Sequence, residues 1–213
     1  MYGAFPKVYP ILDSSTIPAT DRLKFLMRLG ASLADAGVTL LEYRNKRGGD
    51  AELMSDAAIL RAAMPPSDIK LILDGRTDLV DRVGFDGVHV DGGDATPREA
   101  RRIVGPDHIV GTFGGGEALV PGILEEPADY FSVGPAYPTS TKQTTKPAIG
   151  AEGVRWLRRE AGPDPILVAV GGVTLESAPL LLAAGASLVA VSAAIFRTQD
   201  PAAEFRRWTQ ELG

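Results

Sequence analysis

Short, nearly unbroken apolar runs rich in β-branched residues alternate along the chain with longer stretches whose apolar positions recur at helical spacing. The runs cover residues 8–12, 38–43, 69–73, 87–90, 109–112, 130–133, 166–170 and 188–191. A strand with one wet face alternates polar and apolar side chains, so these continuous runs predict parallel strands covered on both faces. The stretches between them, among them 21–36, 51–63, 97–104, 151–160 and 175–184, predict crossover helices. Two of these helices carry a stop signal. Gly37 follows Ala36 and Gly185 follows Ala184, where a left-handed residue closes a helix.

About eight such units in one chain fit an α/β fold, a single-domain (β/α)₈ TIM barrel near the short end of that fold's size range. An open, doubly wound sheet is the alternative. The barrel is favoured because no Gly-x-Gly-x-x-Gly follows the first strand, which runs into Asp13. It is favoured also because the seventh and eighth strands end in Val170-Gly171-Gly172 and Val191-Ser192-Ala193, where such barrels bind phosphate.

Composition acts mainly by exclusion. At 213 residues, 45% hydrophobic and 23% charged, the chain suits one buried core over 1–213, and no linker divides it. Its 22 basic against 27 acidic residues, a net charge of -5, give no reason to expect nucleic acid. The absence of cysteine removes disulfides and thiol chemistry. No apolar run approaches the roughly 18 residues of a membrane span, and the first ten residues lack a signal peptide's regions, so a cytoplasmic protein without membrane contact is expected.

In a barrel the chemistry sits on the loops that follow the strands, and those positions are polar here. The second strand leads into Glu42, Arg44 and Lys46, the third into Asp74 and Arg76, and the fourth into Asp91 and Asp94. The sixth opens into Gly134-Pro135-Ala136-Tyr137-Pro138-Thr139-Ser140-Thr141-Lys142. Cations, acids and two glycine or serine turns on one rim suit a substrate with more than one phosphate, with a divalent metal held by carboxylates. Plainer readings stand beside these. Arg44 and Lys46 also fit a solvated face, Asp94 also fits the N-cap of the helix near Pro97 or a turn, and Gly171-Gly172 also fits a bare tight turn. His89, inside an apolar strand, reads as a hydrogen-bonded structural histidine rather than a base.

Together the segments TLLEYRNK, FDGVHVDGGD, VGPAYPTSTK and VAVGGVT resemble, in order and spacing, the thiamine-phosphate synthase family over nearly the whole chain. The resemblance implies that hydroxymethylpyrimidine diphosphate is joined to a thiazole phosphate, giving thiamine phosphate and diphosphate by a dissociative route. It further implies a catalytic, diphosphate-binding role for Arg44, Lys46 and Lys142, and a substrate contact for Glu42 and Asp74. Thr139 and Thr141 would orient the thiazole phosphate, which Gly172, Val191 and Ser192 would hold. Asp94 would bind Mg²⁺, and a homodimer is the family expectation.

The same resemblance exposes departures. Asp74-Gly75-Arg76 stands where the family reads Asn-Asp-Arg, so the second metal carboxylate is absent at its usual place. Glu42 replaces a glutamine, and an ionised glutamate accepts hydrogen bonds without donating. Asp91 stands for a glycine, where it adds negative charge or restores a metal ligand. Phe113 stands for a serine, in the pyrimidine pocket unless the strand register offers Thr112 instead. A diverged or inactive phosphate-binding paralogue is therefore carried second. A thiazole tautomerase ranks third, since its histidine near the end of the fifth strand has no counterpart in Thr112-Phe113-Gly114-Gly115-Gly116. An aldolase or epimerase on the same barrel is the residual class. The run 143–149 is long and polar enough for a lid.

Overall fold

The structure, a computed structural model, describes residues 5–139 and 145–213. Its strands are β1 (Val8–Asp13), β2 (Leu40–Arg44), β3 (Lys70–Asp74), β4 (Gly87–Val90), β5 (Ile109–Gly115), β6 (Tyr130–Val133), β7 (Leu167–Val170) and β8 (Leu188–Val191). Each pairs in parallel with the next, and β1 pairs with β8, so the sheet closes into an eight-stranded barrel. The helices are α1 (Arg22–Asp35), α2 (Asp50–Ala63), α3 (Val80–Val83), α4 (Pro97–Val104), α5 (Gly150–Ala161), α6 (Ala178–Ala183), α7 (Ala193–Phe196) and α8 (Pro201–Leu212). Closure settles the choice against the open sheet. Among the described residues no helix is long and apolar enough to cross a membrane.

Strand residues alternate between two separate cores, as the period of two requires. Val8, Leu12, Leu41, Tyr43, Leu71, Leu73, Val88 and Val110 point outward into a large layer against the helices. Tyr9, Leu40, Ile72, Ile109, Tyr130, Val168, Leu188 and Ala190 fill the barrel itself. The sequence reads as continuously apolar because both faces are buried. Glycine makes the inner layer possible at one point: a Cβ on Gly111 would lie 1.9 Å from the Tyr130 ring, so only glycine there leaves the ring its place inside.

Local signals explain most boundaries. Gly37 and Gly185 adopt φ of +85° and +108° just past α1 and α6, the left-handed closure expected of them. The N-cap of α4 is Thr96, whose hydroxyl accepts from Glu99 N while Glu99 accepts from Thr96 N. That displaces Asp94 from the capping role. The helix expected from residue 175 starts at Ala178, because Thr174 and Ser177 first close a side-chain turn on each other. The strand expected to stop at 112 runs to Gly115, its register against β6 shifting between Phe113 and Gly115. Helices α3, α7 and α8 are additions to the expected set.

Candidate active site

The alternation that fills the barrel also builds its mouth. Above the inner apolar layer, inward positions turn polar on several strands, with Glu42, Asp74, His89 and Ser132, while Ile11, Phe113 and Val170 stay apolar, and the C-terminal ends enclose a cavity of about 430 Å³. That lies in the roughly 300–1,000 Å³ range of small-molecule sites. Glu42, Arg44 and Lys46 line it from β2 and its extension, two residues apart and facing one way. Asp74, His89 and Asp91, then Phe113, Ser132 and Thr139, continue the wall. Gly171, Gly172 and Thr174 face them from the end of β7, and Val191, Ser192 and Ala193 from the end of β8.

The cation wall is held by buried carboxylates. The Arg44 guanidinium donates to Asp13 and lies 3.7 Å from Asp74 Oδ2. Lys46 Nζ is 2.9 Å from the same Asp74 oxygen and 3.8 Å from Asp94 Oδ2. Burial alone lowers an ammonium's pKa, but Asp74 and Asp94 outweigh it and hold Lys46 above its usual value. Asp13 is pushed up by burial and pulled further down by Ser15 and Arg44, so it stays ionised beneath Arg44. Asp74, 5% exposed, thus orients two cations toward the cavity, and neither is merely a solvated surface charge.

Asp94 sits in a tight turn, its carboxylate accepting from Asp91 N at 3.0 Å while Asp94 N donates to Asp91 O. The turn lies against Gly75, where an added Cβ would be 3.0 Å from Asp94 Oδ1 and 2.5 Å from Lys46 Nζ. A side chain at residue 75 would therefore run into the Lys46 ammonium. Asp74 itself faces Arg44 and Lys46. Mg²⁺ is commonly held by one or two carboxylates completed by substrate phosphate and water, not by an all-protein cage. Asp94, with hard oxygens beside the cation wall, fits that mode.

The opposite wall is built from backbone. The segment after β6 folds onto the end of β7, with Ala136 N donating to Val170 O at 2.8 Å and Tyr137 N to Gly171 O at 2.9 Å. Gly172, at φ +62°, leaves no room for a side chain: a Cβ would meet Pro138 O at 2.4 Å. The Ser192 hydroxyl is buried on this wall and makes no hydrogen bond among the described residues. Such an orphan beside exposed backbone amides suits an incoming anion.

Several expected residues are brought together and others are not. Glu42, Arg44, Lys46, Asp74, Thr139, Gly172, Val191 and Ser192 line one cavity, with Asp94 at its edge. Thr141 and Lys142, and residue 143 and 144 of the suspected lid, lie outside the described residues. Arg76 does not join the rim, since it is engaged by Asp50 and Asp78 away from the cavity. Phe113, not Thr112, lines the wall, and Lys146 Nζ lies 4.0 Å above its ring. Lys146, Tyr9, Tyr130 and Ser132 are the site residues that sequence reading missed. Tyr9 and Tyr130 were legible only as core aromatics, because nothing local distinguishes an inward from an outward tyrosine.

Residues 8–195 match the family model described as thiamine monophosphate synthase. The chain belongs to that family. A thiamine-phosphate synthase of Koribacter versatilis is 37% identical over 188 residues, 88% of each chain. One of Rhodospirillum centenum is 38% identical over 182 residues, 85% of this chain and 86% of the other. Among solved structures, thiamine phosphate pyrophosphorylase from Pyrococcus furiosus is 25% identical, covers 97% of both chains and superposes with a TM-score of 0.75. A 3-hexulose-6-phosphate synthase, at 18% identity and a TM-score of 0.64, shares the fold alone. Of the three residues that depart from the resemblance, Glu42 and Phe113 line the cavity and Gly75 lies against Lys46 and Asp94.

Proposed function

We propose that the protein is a thiamine-phosphate synthase, a transferase that joins hydroxymethylpyrimidine diphosphate to a thiazole phosphate and releases diphosphate. One observation carries the reading. A single cavity presents an oriented cation pair on one wall and glycine and serine turns on the other, two phosphate-recognition units of different kind. Two phosphorylated substrates meeting in one chamber fit that arrangement.

In this reading Arg44 and Lys46 bind the leaving diphosphate, joined by Lys142. As the bond to the pyrimidine methylene breaks, negative charge accumulates on diphosphate, and oriented cations lower the barrier most at that moment. Asp74 keeps both side chains aimed without an ordering cost during the reaction. Thr139, Thr141, Gly172, Val191 and Ser192 fix the thiazole phosphate so that its ring nitrogen faces the methylene carbon. Apolar Phe113 and Val170 keep water from that carbon, which favours capture by the thiazole. Mg²⁺, held at Asp94, would supply further neutralisation of diphosphate. The same reading carries a cytoplasmic location and a homodimer, the latter read by sedimentation equilibrium.

The deciding assay supplies both substrates and Mg²⁺ and measures diphosphate and thiamine phosphate together. Stoichiometric formation of the two is expected. No product at high protein concentration, with thiazole phosphate still bound, would point to a phosphate-binding paralogue instead.

A further inference from the structure

Four side chains from four strands form one hydrogen-bonded run across the cavity floor. The Tyr9 hydroxyl donates to Glu42 Oε2 at 2.9 Å and lies 3.0 Å from the Tyr130 hydroxyl. That hydroxyl lies 3.1 Å from His89 Nδ1, and the His89 ring stacks on Tyr130 at 5.6 Å between centroids. Because Tyr9 gives its only proton to Glu42, its oxygen accepts from Tyr130, which in turn accepts from His89 Nδ1–H. Donation therefore runs one way, toward Glu42. It satisfies Oε2, and among the described residues no hydrogen bond is made to Oε1 of this cavity-lining carboxyl.

We propose that Glu42 works as a neutral carboxylic acid and recognises an aromatic heterocycle with an amino group beside a ring nitrogen, positioned by Tyr9, Tyr130 and His89. The Oε1–H donates to the ring nitrogen while Oε2 accepts from the amino group, a paired donor and acceptor that an ionised carboxylate lacks. The surroundings support the neutral form. Glu42 is 3% exposed, and burial raises its pKa to about 8, with Asp74 on β3 adding to the rise. Tyr9 opposes it by hydrogen bonding, and Arg44 on the same strand and Lys46 just past its end oppose it as charges. Those two cations are already engaged by Asp13 and Asp74, which limits their pull on Glu42. Tyr9 on β1 and Tyr130 on β6 are themselves pushed well up by burial, so both stay neutral, and His89 on β4 completes the ring of neighbours. The substrate class rests on the proposed synthase reading and names what the altered glutamate would recognise.

The test is binding of free hydroxymethylpyrimidine, which lacks phosphate and so reports the floor without the cation wall. Calorimetry from about pH 7 to about pH 10 should show affinity falling through pH 8 and then about tenfold per pH unit, as loss of one required proton demands. Tyr9→Phe removes a donor that favours the ionised form, so its midpoint should move to higher pH. Glu42→Gln keeps a donor and an acceptor, and binding should lose its pH dependence. A flat wild-type profile, or an unchanged midpoint in Glu42→Gln, overturns the proposal. The synthase assay is independent of this one. Product formed with flat heterocycle binding sinks the acid alone; pH-dependent binding without product supports the acid and sinks the synthase reading.

Discussion

Glu42 also leaves a mark on stability, because a carboxyl raised to about 8 in the folded chain titrates near 4.3 when unfolded. Between those values the folded state holds the extra proton, so the stability that Glu42 contributes at low pH is lost as pH rises toward 8. Glu42→Gln removes that slope. Thermal or urea unfolding should therefore find the variant gaining on the parent by up to about 1.4 kcal/mol per pH unit between about pH 5 and pH 8, then holding its lead. Equal slopes in the two proteins would mean that Glu42 is ionised throughout. Lys46 is a different case, since its ammonium is half-exposed and its partner Asp74 keeps Arg44 as a second cation. Lys46→Ala should therefore fold, yet lower turnover on the order of a hundredfold if it stabilises departing charge. Turnover within about twofold of the parent would remove it from the mechanism.

At the scale of elements, the phosphate wall depends on how closely the segment after β6 lies on the end of β7. Gly172 is the contact point, with φ +62° and Tyr137 O only 2.7 Å from a would-be Cβ. Gly172→Ala should push these segments apart, weakening thiazole phosphate binding by tenfold or more in calorimetry and lowering stability by about 1–3 kcal/mol. Unchanged affinity would move the phosphate elsewhere. These same elements show what a sequence makes legible. The eight strands were readable because burial on both faces leaves unbroken apolar runs, and Gly37 and Gly185 because a helix end needs a left-handed residue. Asp94 was ambiguous because N-cap and turn aspartates share the same local sequence, and only the neighbouring β-turn to Asp91 separates them. Helix α8 had a readable start in Asp200-Pro201, with Asp200 capping Ala203 N. The relay from His89 to Glu42 was not readable at all. It joins β1, β2, β4 and β6, and depends on Gly111 on β5 making room for Tyr130.

For the whole molecule, closure of the barrel sets the two binding walls on different strands of one rigid frame. The cations come from β2 and the residues just past it, steadied by carboxylates from β1, β3 and the segment after β4, and the backbone turns come from β7 and β8. Among the described residues no side chain of the cation pair shares a hydrogen bond or ion pair with Gly172 or Ser192, so perturbations of the two walls should add independently. A double variant, Arg44→Ala with Lys46→Ala, should abolish measurable inhibition by free diphosphate while thiazole phosphate binds within about threefold of the parent. Gly172→Ala should do the reverse, and the triple variant should show the sum of both losses in free energy. The barrel's own frame argues for this outcome, since β1 and β8 pair directly and fix the two walls through backbone hydrogen bonds that neither substitution touches. A loss of thiazole phosphate affinity in the cation variant would instead mean that the walls are coupled through the ligand-free chamber. The synthase reading would then need the diphosphate to bind first and build the second site, and thiazole phosphate alone should not bind the parent protein.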